Sequence, residues 1–74
     1  MAKRRSSFLT AADRLRRQIA QKEAKIQEWT RRLDTAADPR SRASLRAHIT
    51  RARRDIKGLR ARIRVLEARA RRAR

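Results

Sequence analysis

The sequence predicts an all-α protein: a two-helix antiparallel coiled-coil hairpin whose outer faces leave room to dimerise into a bundle. Three observations predict it. Apolar residues recur in alternating steps of four and three through both halves of the chain. A single Asp-Pro pair, Asp38-Pro39, separates those halves. The composition is rich in Ala, Arg, Leu, Ile, Gln, Glu and Lys, all tolerant of helix. One Gly and one Pro leave almost no turn chemistry for a β fold.

The chain opens with a basic stretch, residues 1–7, containing Lys3, Arg4 and Arg5. We expect it to form an arm ahead of the first helix. That helix is predicted over residues 8–36. Its seam runs through Phe8, Ala12, Leu15, Ile19, Lys22, Ile26, Trp29 and Leu33. Thr10-Ala11-Ala12-Asp13 resembles a capping box, and Ser6 or Ser7 offers an alternative cap. Lys22 is the one polar break in the seam. Its stem can pack while its ammonium reaches solvent, and a polar break helps to fix register.

The turn is predicted at residues 37–38. A residue before Pro is pushed out of helical geometry, so the first helix has to stop by Ala37. Asp38 then caps the free N–H groups of the next helix, and Pro39 suits its first position. The second helix is predicted over residues 39–72. Its seam runs through Leu45, Ile49, Ala52, Ile56, Leu59, Ile63, Leu66, Ala70 and Ala73. At 1.5 Å per residue the two helices span roughly 40 and 50 Å.

A short connection makes the helices antiparallel. Pairing Leu33 with Leu45 sets Trp29 against Ile49, Ile26 against Ala52 and Lys22 against Ile56. The same register sets Ile19 against Leu59, Leu15 against Ile63, Ala12 against Leu66 and Phe8 against Ala70. The flanks agree with it: Arg16 comes near Glu67, Glu23 near Arg60, and Lys25 near Asp55. A continuous helix kinked at Pro39 and paired with a second chain would leave this match of core and flank unexplained.

With 74 residues the chain is one domain with a thin core. Zero Cys and one His exclude disulfides and an ordinary structural zinc site. Two aromatic residues, Phe8 and Trp29, are too few for an OB-fold or RRM-type sheet of stacking side chains. No nucleophile has a base and an orienting acid at workable spacing, so no enzyme is expected, and no cofactor or metal is called for. No apolar run approaches a membrane span, and the apolar stripe is narrow and matched by its partner helix. No secretory segment follows Met1, and a cytoplasmic or virion location is expected, associated with ribosome, nucleoid or phage genome.

Charge is the dominant feature. The formal net charge is +17, from 24 Lys and Arg against 7 Asp and Glu. Residues 1–37 hold ten basic and four acidic groups, a net +6; residues 38–74 hold fourteen and three, a net +11. Such a surplus repels itself and attracts polyanions, so the free chain is expected to gain helicity with salt or a polyanion. The cations predicted to stay free lie along the second helix: Arg46, Arg51, Arg53, Arg54, Lys57, Arg62, Arg64, Arg69, Arg71, Arg72 and Arg74. With Lys3, Arg4 and Arg5 they form the candidate binding set. Guanidinium forks match phosphate oxygens, so an Arg-rich set favours nucleic acid. The basic face carries almost no Asn or Gln to read base edges. Binding of DNA or RNA through phosphates, without sequence preference and within a nucleoprotein particle, is the expectation. The rival is a structural component, of a phage, capsid or other assembly, that docks an acidic protein surface.

Three other residues stand out. Trp29, at a seam position opposite Ile49, reads as core. His48 reads as an exposed flank residue beside Arg32. Gly58 interrupts the second helix on its outer side, among Arg51, Arg54, Lys57 and Arg62. The outer residues Ala47, Ala61, Val65 and Ala68 read as helix-forming filler.

Overall fold

The computed structural model describes residues 2–73, with side chains from Arg4 to Ala73. It contains two helices of equal length, α1 (Ala2–Thr35) and α2 (Pro39–Arg72). They pack against each other as a rod whose Cα trace is 56 Å long. The predicted helical hairpin is therefore the observed fold.

α1 begins six residues earlier than expected. Lys3, Arg4 and Arg5 belong to its first turns and form no separate arm. The cap expected at Thr10 is absent because Thr10 lies inside the helix, where its hydroxyl donates to the Ser6 carbonyl at 2.8 Å. Helix-tolerant residues precede Phe8 without a Gly or Pro, so nothing in the chain stops the helix from extending. The added turns carry a cost. The positive end of the helix dipole coincides with three cations and no acid in the first turn.

The turn is built as its residues dictate, one residue longer than expected. α1 ends at Thr35, where the Ala36 N–H donates to the Arg32 carbonyl at 2.9 Å and the Thr35 hydroxyl donates to the same oxygen at 3.2 Å. Asp38 is extended, with φ −74 and ψ 127, and its carboxylate accepts from both the N–H and the hydroxyl of Ser41 at 3.1 Å. Pro39 occupies the first turn of α2. At the far end of α2, the Ala73 N–H closes on the Arg69 carbonyl at 3.0 Å. Arg69, Arg71 and Arg72 sit in that last turn, where the negative end of the dipole favours cations.

The seam residues meet as the heptads require. Ala12, Leu15, Ile19, Ile56 and Ile63 form one buried cluster, with Ile26, Leu59 and Leu66 packed against it. Ile49, Ala52 and Ala70 are buried as well. Among the described residues no large side chain is fully buried, as expected where only two helices supply the core. Cross-helix pairs fix the register. Arg16 donates to Glu67 at 2.9 Å, and Arg60 lies 3.6 Å from Glu23. One expected pair is exchanged: Lys22, not Lys25, reaches Asp55, at 3.5 Å. A seam cannot hold an ammonium group, so the Lys22 stem packs while its head emerges at the edge, beside Asp55. Lys25 turns to Glu28 on its own helix, at 3.6 Å.

Trp29 departs from its expected place. It is half-buried, outside the core cluster, and its ring stacks on His48 with centroids 5.2 Å apart and planes at 23°.

Candidate nucleic-acid interface

The acids are few, and nearly all are engaged. Asp13 and Glu67 hold Arg16; Glu28 holds Lys25 and Arg32; Asp55 holds Lys22; Glu23 holds Arg60. Asp38 is used as a helix cap. Among the described residues, four of the five cations in ion pairs thus lie on α1. On α2, Arg60 alone is in an ion pair among the described residues.

One further α2 cation is committed internally. Arg42 lies in the first turn and is half-buried. Its Nη1 donates to the Leu33 carbonyl at 2.8 Å and to the Ala36 carbonyl at 2.9 Å. These carbonyls belong to the last turn of α1 and the turn beyond it, where no intrahelical partner is available. Arg42 therefore clamps the end of one helix to the start of the other. The sequence gives no direct sign of this role, since it depends on the path of the turn.

The predicted cations on α2 are placed as follows. Arg46, Arg51, Arg53, Arg54, Lys57, Arg62, Arg64, Arg69, Arg71 and Arg72 are all exposed. None is in an ion pair among the described residues. The stretch from Arg51 to Arg72 spans about 32 Å of helix axis. Arg4 and Arg5 are exposed at the start of α1. The Arg16–Glu67 pair and the burial of Ala12 and Ala70 set this start beside the last turns of α2. The two groups of cations thus share one end of the rod. Lys3 is helical, its side chain lying outside the described ones, and Arg74 lies outside the described residues.

Four exposed arginines outside the predicted set share the same condition. Arg14, Arg17 and Arg31 on α1 and Arg40 on α2 are in no ion pair among the described residues. Heptad position is the signal that would have found them, because each points away from the seam.

Gly58 faces open space: a Cβ built there would meet nothing within 4 Å, and its φ is not positive. No backbone constraint in the free protein calls for glycine at this position. No helix among the described residues is long and apolar enough to cross a membrane.

Comparison of the chain with family models, with curated proteins and with solved structures finds no match.

Proposed function

We propose that this hairpin binds nucleic acid through its phosphates, without sequence preference, as an accessory component of a nucleoprotein particle. One observation carries the reading: ten predicted α2 cations are exposed and outside every described ion pair. Six of the seven acids are spent on internal contacts, so most of the surplus has no internal counterion. An external polyanion supplies it, and counterion release from that polyanion drives binding. Arginine makes up 20 of the 24 basic residues, and its planar fork suits phosphate oxygens better than a point charge does. The seam turns the apolar side of α2 onto α1, so the cations spread over the outer half of the helix, where a phosphate backbone can reach them.

The test is binding of the nuclease-treated, high-salt-purified chain to a fluorescent duplex DNA, a structured RNA and an acidic polypeptide of matched charge. Comparable binding of several unrelated nucleic-acid sequences, well above binding of the polypeptide, is expected. Tighter binding of the polypeptide would replace this reading with docking to an acidic protein surface.

A further inference from the structure

Trp29 and His48 lie between two grooves along one edge of the hairpin. The larger groove, of about 670 Å3, runs toward the middle of the rod. The smaller, of about 520 Å3, runs toward the turn. Both aromatic rings line both grooves.

We infer that the Trp29–His48 stack is a platform for an unpaired nucleobase, seated in the larger groove, so that the protein favours single-stranded DNA or RNA. This rests on the phosphate-binding reading above and adds a base contact to it. Four observations carry it. The Trp29 indole is half-buried and stacks on an exposed imidazole. Ala24 and Ala52 line the groove next to it, and such short side chains leave room for a planar ring. The groove volume lies within the range of small-ligand sites. The acids lining it, Glu28 and Asp55, are already neutralised by Lys25, Arg32 and Lys22.

Charge then fits one occupant. Arg51 borders the larger groove and Arg40 the smaller, both exposed and in no described ion pair. They flank the aromatic pair, about 16 Å apart along α2. A strand lying along this edge meets a guanidinium on each side of the stack and an aromatic surface between them. That combination of cationic groove and aromatic ring is the usual recipe for single-strand binding. Bases in a duplex are stacked on each other and cannot reach the ring without being extruded.

Trp29 is the sole tryptophan, so its emission reports on the platform directly. The full chain is titrated with a twelve-nucleotide oligo-dT, an abasic twelve-mer with the same phosphates, oligo-U and a duplex. Quenching of Trp29 by oligo-dT or oligo-U but not by the abasic strand is expected, with at least about fivefold tighter binding of the base-bearing strand. Affinities for oligo-U and oligo-dU, which differ in the sugar alone, tell RNA from DNA. In Trp29→Leu, followed by anisotropy of a labelled strand, the preference over the abasic strand should fall below about twofold. If that variant fails to fold by circular dichroism, the wild-type emission decides. Equal binding of base-bearing and abasic strands with unchanged emission overturns the platform and leaves phosphate binding standing. Failure of every strand to bind overturns the phosphate reading and the platform together.

Discussion

α1 and α2 are each 34 residues long and share one seam, yet they divide their cations differently between ion pairs and open surface. On α1, four cations are held by acids, two of them by acids on the other helix. On α2, Arg60 is in an ion pair, Arg42 caps the other helix, and the rest project from the surface. The difference follows from where seven acids fall in the sequence: four lie in the first half and three in the second. One of those three, Asp38, is occupied as a cap. α1 thus splits its cations between ion pairs that set register and five exposed arginines outside the described pairs, Arg4, Arg5, Arg14, Arg17 and Arg31, whereas α2 leaves nearly all of its own on the surface. Exposed pairs of this kind are worth only about 0.2–1 kcal/mol each, so their chief effect is to decide which cations remain available.

The seam is where the helices are expected to behave alike. Ile19 and Ile56 belong to the same buried cluster, at 7% and 5% exposure. Ile19→Ala and Ile56→Ala should each cost about 2–5 kcal/mol, a large share of the stability of a small domain. Thermal melts followed by circular dichroism check this. A seam variant with an unchanged melt in one helix only would mean that the two do not contribute equally.

Binding is where they should differ. Replacing Arg51, Arg53, Arg54 and Lys57 with Gln should weaken binding of every nucleic acid by about tenfold or more at moderate salt. Replacing Arg16, Lys22, Lys25 and Arg32 removes as much charge and also frees Asp13, Glu28, Asp55 and Glu67, so it should weaken duplex binding as well, but by less than the α2 set, which meets the phosphates. Glu23→Gln together with Glu28→Gln should strengthen binding, since it frees Arg60, Lys25 and Arg32. Anisotropy titrations at fixed salt measure all three.

The two arginines near the turn sharpen the contrast within α2. Arg42→Ala removes two charge-assisted hydrogen bonds to carbonyls and should cost about 1–2 kcal/mol in the thermal melt. Arg40→Ala touches no such contact and should leave the melt within about 0.5 kcal/mol. The smallest effect is at Gly58. With open space around it, Gly58→Ala should raise stability by about 0.5–1 kcal/mol through helix propensity alone. A simultaneous loss of affinity would show that the phosphate backbone approaches the helix closely there.

Much of this fold was legible because each local signal pointed the same way. The heptads, Asp38-Pro39 and the Arg16–Glu67 and Glu23–Arg60 pairs all specify one register. The start of α1 was not legible, because residues able to cap a helix, Ser6, Ser7 and Thr10, are also tolerated inside one. Trp29 was misplaced by its heptad position, since period says which edge a residue occupies and not whether a ring that large turns inward. Arg42 was invisible for a related reason: it acts across the turn, and only the chain's path brings it to Leu33 and Ala36. The α2 cations were legible as a set, because a surplus of charge without acids to absorb it has to face outward.

The central claim, that binding runs through the uncompensated α2 cations, is tested most directly by the salt dependence of duplex-DNA affinity. It is measured for the wild-type chain, the α2 Gln quadruple variant and the α1 Gln quadruple variant. We predict that log K falls linearly with log salt in the wild type and that the α1 variant keeps the same slope. The α2 variant should be shallower by about 0.9 for each phosphate it no longer neutralises. A flat wild-type line, or an α2 variant with the wild-type slope, would contradict the account.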